Sequence, residues 1–158
     1  MDLEAKKSAL RSMPHGLYVV TLRRGEERCA FTATWVTQTS FEPPLLAMAV
    51  RADSYARSFC QPGAALALHW LDKQQKSFAQ TFFKAPPVEG RSFGPYTFQD
   101  GAHGAPILDG VLAHVEGLVH SVVEVGDHHP VLFEVVDAKI HRLGDALVLA
   151  DTGWKYGG

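Results

Sequence analysis

The sequence predicts a mainly β fold in which a mostly antiparallel sheet closes into a barrel, with short helices beside it. Runs of β-branched and aromatic residues are separated by turns or single helices, not by regularly alternating helices, so a doubly wound parallel sheet is not expected. No G-x-G-x-x-G motif follows the first strand, which excludes a Rossmann-type nucleotide site. With 158 residues, the chain is predicted to form one domain, residues 1–158.

The first 71 residues predict two short helices and four strands. The run at 45–50 is apolar throughout, which favours burial on both faces of that strand. Asp53 and Ser54 can cap the second helix, and Pro62-Gly63 ends it. The predicted helices are 3–12 and 54–60, and the predicted strands are 17–22, 29–38, 45–50 and 64–71.

The second half of the chain predicts one helix, a long loop and three strands. A helix over 73–83 follows Asp72 and places Phe78 and Phe82 on one face, four residues apart. Residues 84–110 are rich in glycine and proline and have weak periodicity, so they are predicted to form a functional loop or a lid. The last predicted strands are 111–125, 131–142 and 146–150.

Composition excludes several classes of protein. The chain has 15 basic and 17 acidic residues, a net charge of -2 and no basic tract, so no nucleic-acid partner is expected. Cys29 and Cys60 do not make a disulfide framework and are predicted to be buried free thiols. The first residues lack the apolar core of a signal peptide and no run reaches membrane-spanning length, so no membrane association and a cytoplasmic location are expected.

Two segments carry the residues from which a function can be argued. Residues 32–37 read Thr-Ala-Thr-Trp-Val-Thr, and a strand places Thr32, Thr34 and Val36 on one face and Ala33, Trp35 and Thr37 on the other. Residues 126–128, Gly-Asp-His, end an apolar strand and precede the apolar run at 131–136. Threonine is common in strands and histidine is ordinary in a loop, so neither segment alone identifies a function.

Together with the run Ser40-Phe-Glu-Pro-Pro, these segments resemble the signature of the flavin reductase family, over about residues 16–142. The resemblance implies a six-stranded antiparallel Greek-key split β-barrel that holds FMN, or less often FAD. It also implies an NAD(P)H:flavin oxidoreductase, which uses NADH or NADPH as co-substrate and transfers a hydride to flavin N5. Family members are homodimers that pass electrons to oxygen, a monooxygenase partner or another acceptor.

The resemblance also implies a set of flavin-binding residues. The stretch 32–37 would line the flavin ring, and Thr34 keeps the hydroxyl of the serine that is usual in the family. The junction from strand to helix at 51–57 would hold the phosphate, through Ser54, the neighbouring Tyr55 and either Arg51 or Arg57. Because Ala56 replaces a second hydroxyl that is common in the family, Arg51 and the backbone would carry more of this contact.

Three further segments complete the implied site. Phe82 or Phe83 would cover the ring, and Lys84 would reach a phosphate or a pyrimidine oxygen. The aromatic tail 151–158 is predicted to be ordered, with Trp154 near the site. His128 would lie where the nicotinamide stacks, to orient its carboxamide or to stabilise the reduced flavin near N1. Asp127 would set the geometry of the turn, and His129 would be a bystander on the outer face.

Other interpretations remain open at this point. One is a flavoredoxin-like electron-transfer protein that holds FMN tightly and has no NAD(P)H turnover, and another is a split barrel that binds haem or a pyridoxal-type phosphate. His114, Glu116 and His120 share one face of a predicted strand, but the two histidines would be about 20 Å apart, too far to share a metal ion. The absence of a G-x-S-x-G motif leaves hydrolase chemistry unsupported.

Overall fold

The computed structural model describes residues 1–158 and is dominated by a seven-stranded antiparallel sheet. The order of the strands in this sheet is β2-β1-β5-β10-β11-β4-β3, and a smaller sheet has the order β6-β7-β8-β9. The strands are β1 (Tyr18–Arg24), β2 (Glu27–Ala33), β3 (Val36–Ser40), β4 (Leu45–Arg51), β5 (Ala65–Trp70), β6 (Val88–Glu89), β7 (Ser92–Phe93), β8 (Tyr96–Asp100), β9 (Pro106–Leu108), β10 (Ala113–Val122) and β11 (His128–Ile140).

The large sheet curls until its two edges meet. Strands β2 and β3 lie at opposite edges but are consecutive in the chain, joined only by Thr34 and Trp35. Across the gap between the edges, Cys29 and Ala33 of β2 belong to the same apolar cluster as Met48 and Val50 of β4. The mainly β, antiparallel architecture is therefore confirmed. The sheet has seven strands instead of six because the predicted strand 29–38 is divided at this junction.

Strand β1 is buried on both faces and separates two apolar cores. Val20 and Leu22 point into the barrel, where they belong to a cluster with Phe133. Val19 points the other way, into a second cluster with Phe82 that lies under the helix Lys76–Thr81 and the small sheet. The alternation of side chains along one strand thus holds the barrel and its outer layer together.

Helices are short and flank the barrel, and one of them, Tyr55–Phe59, places Ala56 and Phe59 in the core of the barrel. Asp2 caps the first one by accepting hydrogen bonds from two backbone N–H groups of its first turn. With nine residues, the longest helix is too short and too polar to cross a membrane. The helices are α1 (Leu3–Arg11), a 3₁₀ helix (Tyr55–Phe59), α2 (Lys76–Thr81) and α3 (Leu149–Thr152).

The prediction of a loop over 84–110 is wrong, because this segment forms the small four-stranded sheet. Its strands have two to five residues, too few to show a periodicity in the sequence. Three polar side chains of the large sheet bond to its backbone: Thr21 donates to the Pro106 carbonyl, His69 accepts from Leu108 N–H, and Glu116 accepts from two N–H groups of residues 102–103. The segment is therefore packed as a layer against the barrel.

The predicted strand 146–150 is also wrong. Ala146 and Val148 make only isolated bridges, to Asp72 and Gly16, and helix α3 begins at Leu149. The predicted free thiols are buried, and burial raises the pKa of Cys29 to about 11 and that of Cys60 to about 12. Both thiols are therefore inert core residues at neutral pH.

Candidate functional site

A cleft of about 550 Å³ lies at the junction of β2 and β3, within the usual size range of a small-molecule site. Twelve of its nineteen lining residues are hydrophobic. Most of the lining residues come from six places that are far apart in the chain: the end of β2 with the junction at 34–35, the end of β4, the start of the 3₁₀ helix, the end of α2, the start of β11 and the C-terminal tail. Closure of the barrel is what brings these segments together.

The junction between β2 and β3 presents backbone donors to the cleft. Thr34 and Trp35 both line it, and neither backbone N–H donates to a protein acceptor. The Thr34 hydroxyl makes no hydrogen bond within the protein either, whereas the Thr32 hydroxyl is used up by the Ala79 carbonyl at 2.6 Å. A half-buried site with free N–H and hydroxyl groups fits a ligand that has carbonyl oxygens and ring nitrogens along one edge.

The predicted alternation of faces over 32–37 is wrong, because the chain leaves the strand geometry after Ala33 and resumes it at Val36. Thr32, Ala33, Thr34 and Trp35 all line the cleft. Val36 instead packs against the barrel core, and Thr37 is exposed on β3. These last two predicted residues therefore do not line the cleft.

Aromatic rings form the walls of the cleft. Phe83 and Trp154 meet edge to face with ring centroids 4.7 Å apart, and Trp35 lies 5.3 Å from Tyr156. Phe83 is 53% exposed although it belongs to the apolar lining, so its ring is available to a ligand. Flat apolar walls beside backbone donors suit a planar heteroaromatic ring.

The predicted tail is ordered against its own chain. The Arg11 Nε donates to the Gly157 carbonyl at 3.0 Å, and the Lys76 Nζ donates to the Thr152 carbonyl at 2.5 Å. The same Lys76 ammonium lies 4.9 Å from the centre of the Trp154 ring. These contacts hold Trp154, Lys155 and Tyr156 along one side of the cleft.

The predicted phosphate-binding residues separate into two groups. Arg51 and Ser54 line the cleft, where Arg51 forms two hydrogen bonds to Asp53, at 3.1 and 2.7 Å, and holds the pKa of that carboxyl below its usual range. Tyr55 turns away and donates to Glu27 at 3.0 Å. Arg57 is buried behind the cleft. Of the two predicted arginines, Arg51 is therefore the one that faces the cleft.

Lys84, which is also predicted to bind the flavin, does not line the cleft. It follows Phe83, beyond the end of α2, and is exposed. Lys155, which the sequence did not single out, supplies a lysine to the lining from the C-terminal tail. Helix α2 ends at Thr81 instead of the predicted residue 83, so the chain turns away before Lys84.

His128 is the most constrained polar side chain of the site. Its Nδ1 lies 3.0 Å from the Asp127 carboxylate, its Nε2 lies 2.6 Å from the Tyr156 hydroxyl, and its ring centre lies 4.7 Å from that of Trp35. The bond to His128 lowers the pKa of Asp127, and burial raises the pKa of Tyr156. An ionised Asp127 and a protonated Tyr156 select the tautomer in which Nδ1 carries the hydrogen and Nε2 accepts.

A second cavity, of about 590 Å³, adjoins the cleft. The two share His128 and four other lining residues: Trp35, Arg51, Asp53 and Tyr156. His128 thus faces two adjacent spaces, one apolar and one lined mainly by polar residues and glycines. Two ligands bound side by side would both be within reach of its ring.

Sequence reasoning missed Tyr156 and Asp53 as site residues. Tyr156 is 28 positions from His128, and no motif of fixed spacing links a strand start to a tail. The available signal was the high aromatic content of the last residues, which predicted an ordered tail but not its contact. Asp53 and Ser54 are both predicted to cap the 3₁₀ helix; Ser54 accepts the capping bond, and Asp53 bonds to Arg51 in the cleft.

Comparison with known proteins agrees with this geometry. Residues 10–158 match the family model described as flavin reductase like domain. Diflavin flavoprotein A 1 of Synechocystis sp. is 33% identical over 90% of the chain, which spans 25% of that protein. The 4-hydroxyphenylacetate 3-monooxygenase reductase component of Pseudomonas aeruginosa is 28% identical over 92% of the chain and 86% of its own length. BorF, the flavin reductase component of a bacterial two-component tryptophan halogenase, superposes with a TM-score of 0.79 at 28% identity. The superposition covers 93% of this chain and 92% of BorF.

Proposed function

We propose that this chain, which belongs to the flavin reductase-like family, binds FMN in the cleft and reduces it with NADH or NADPH. The observation that carries the proposal is the junction between β2 and β3, where the N–H groups of Thr34 and Trp35 are free beside aromatic walls. The pyrimidine edge of a flavin offers carbonyl oxygens and ring nitrogens to such donors, and its ring system requires apolar cover.

The residues have distinct roles in this proposal. Thr34 and Trp35 bind the pyrimidine edge, and Phe83 and Trp154 cover the ring system. When bound, the flavin supplies the site that accepts a hydride from the nicotinamide. The protein positions the two rings and excludes water, which is the main contribution expected for a reaction between two bound cofactors.

Arg51 is proposed to bind the phosphate of FMN. It is the arginine that lines both cavities, and its bond to Asp53 fixes the direction of the guanidinium. The Ser54 hydroxyl donates to the Arg51 carbonyl at 2.8 Å, which ties this residue to the helix start. Titration with riboflavin in place of FMN measures how much the phosphate adds to binding.

The test of the function is turnover with the purified chain. We expect oxidation of NADH or NADPH, followed at 340 nm, to depend on added FMN, and we expect the flavin recovered after denaturation to be FMN. A yellow protein that shows no turnover with excess FMN would favour the flavoredoxin-like alternative. A colourless protein, or one with a haem spectrum, would contradict flavin binding itself.

His128→Ala is expected to raise the KM for the pyridine nucleotide about tenfold, because one hydrogen bond to the nicotinamide carboxamide is lost. The Kd for FMN should change little, since the backbone N–H groups of Thr34 and Trp35 that bind the pyrimidine edge are left in place by this substitution. Steady-state kinetics at varied NADH and a fluorescence titration with FMN measure the two effects separately. Unchanged kinetics would remove His128 from the nicotinamide site.

We also propose a homodimer and an electron acceptor outside the chain. Support for the dimer comes from large apolar side chains left exposed outside the cleft, among them Phe41 at 89%, Ile140 at 72% and Leu143 at 89% exposure. Support for the acceptor comes from the names of two relatives: one is the reductase component of a monooxygenase, and the other is the flavin reductase component of a two-component tryptophan halogenase. Sedimentation velocity tests whether the chain forms a homodimer, and transfer of electrons to a flavin-dependent monooxygenase tests whether it uses an external acceptor.

A further inference from the structure

We propose that Arg57 and His129 are positioning residues that hold the turn carrying His128 in its place at the site. Neither side chain lines the cleft. This inference rests on the proposed role of His128 in binding the nicotinamide. It explains the doubled histidine at 128–129, of which only the first residue faces the cleft.

The guanidinium of Arg57 is bonded on both sides of that turn. Its Nη2 donates to the Glu124 carboxylate at 2.6 Å, and its Nε donates to His129 Nδ1 at 2.9 Å. Its Nη1 donates to the Cys60 carbonyl at 3.1 Å, which anchors the same group to the end of the 3₁₀ helix. One buried side chain, 10% exposed, thus links the residues that enter and leave the turn.

The turn has few other anchors. Its residues Val125 and Asp127 are largely exposed, and Gly126 adopts a positive φ of 77°. A backbone hydrogen bond of 2.9 Å from Ala52 to the Asp127 carbonyl is its direct tie to the neighbouring strand end. An exposed loop with few buried contacts is held by its specific bonds. Here the Val123 N–H closes the base of the turn by donating to the Pro130 carbonyl at 2.9 Å, and Arg57 bonds to a side chain at each end.

His129 acts in this network as a neutral acceptor. Because Arg57 Nε–H donates to its Nδ1, the hydrogen of the His129 ring resides on Nε2. His129 pairs with Val50 in β4 and His128 with Arg51, so a shift of one histidine moves its neighbour in the same strand. The orientation of the His128 ring is therefore coupled to the bond between Arg57 and His129 on the opposite side of β11.

The proposal is tested with His129→Ala and its matched variant His129→Asn, whose side-chain oxygen can take the place of Nδ1 as acceptor. We expect His129→Ala to raise the KM for the pyridine nucleotide by about tenfold, the size of one lost hydrogen bond to a charged group, with the Kd for FMN unchanged. His129→Asn should restore the wild-type KM. His120→Ala, on exposed β10 surface, is the control for loss of a histidine.

A second measurement uses the protein without flavin. Ring nitrogen NMR shifts of His128 should report one tautomer in the wild type and in His129→Asn, and an average of two in His129→Ala. Glu124→Gln, at a side chain that is 73% exposed, should move the same signals without threatening the fold. If His129→Ala and Glu124→Gln both leave the His128 signals unchanged and His129→Ala also leaves the KM unchanged, the positioning role is refuted.

The same data separate this inference from the proposed function. Altered His128 signals in His129→Ala support the positioning role whatever the activity. If His128→Ala itself leaves the KM unchanged, the nicotinamide role of His128 fails while the structural coupling stands.

Discussion

Removal of residues 154–158 is expected to weaken FMN binding about a hundredfold. The deletion takes away Trp154, which packs edge to face on Phe83, and Tyr156, which packs on Trp35. Stacking of an aromatic side chain on a heterocyclic base stabilises binding by about 1–3 kcal/mol. Two lost rings at the lower half of that range give about a hundredfold in Kd. Quenching of flavin fluorescence measures the change.

Shorter changes locate the effect within the tail. Deletion of Gly157 and Gly158 alone removes the bond to Arg11 but keeps both rings, so it should cost much less affinity. Trp154→Ala should account for most of the loss, whereas Tyr156→Phe keeps its ring and should bind FMN almost normally. Equal affinity of the full chain and the five-residue deletion would show that the flavin does not lie in this cleft.

The barrel could be predicted because its strands are long and carry a clear pattern. Strand β1 has buried residues on both faces, and β4 is apolar almost throughout, so their existence and type were evident. The division between β2 and β3 was not evident, because Thr34 and Trp35 are themselves typical strand residues. Tertiary closure of the sheet, not local preference, breaks the strand at this point. The small sheet was not predicted for a different reason: three of its four strands have only two or three residues, fewer than the four over which alternation can be recognised.

The candidate site was predictable to the extent that it depends on contiguous motifs. Residues 32–35, Arg51, Ser54, Phe83, His128 and Trp154 all line the cleft. The rest depends on contacts across the chain. Tyr156 reaches His128 only because the tail crosses the cleft, and Arg57 leaves it because its guanidinium bonds to residues that follow β10. Contacts between residues so far apart in the chain are determined by the packing of the sheet, and no local sequence pattern predicts them.

His69 is expected to make the protein sensitive to mild acid. It is fully buried between the large and the small sheet, and both of its ring nitrogens are in use: Nδ1–H donates to the Val19 carbonyl at 2.9 Å, and Nε2 accepts from Leu108 N–H at 3.1 Å. A second proton would face the Leu108 N–H and could not be hydrated. Burial therefore lowers the pKa of His69 to about 3.

The sign of the effect follows from which state binds more protons. In the unfolded chain a histidine has a pKa of about 6.5, so between that value and about 3 the unfolded state is protonated while folded His69 is not. Stability is therefore complete above pH 6.5 and is lost as the pH falls. From pH 7 to pH 5 the free energy of unfolding should decrease by about 2 kcal/mol through His69. Burial also lowers the pKa of His114, which acts in the same direction.

Urea denaturation at pH 7, 6 and 5 measures this slope. His69→Gln removes the titrating group, so the free energy of unfolding of this variant should fall less steeply with pH. At pH 7 it should be lower than that of the wild type by about 1–3 kcal/mol, because glutamine leaves buried polar groups incompletely bonded. His120→Gln, at an exposed position of β10, should keep the wild-type slope. The carboxyls whose pKa is lowered, such as Asp72, lose their contribution only below their ordinary range near pH 4, so they do not affect this interval. A wild-type stability that is flat from pH 7 to pH 5 would mean that His69 is not held neutral between the two sheets.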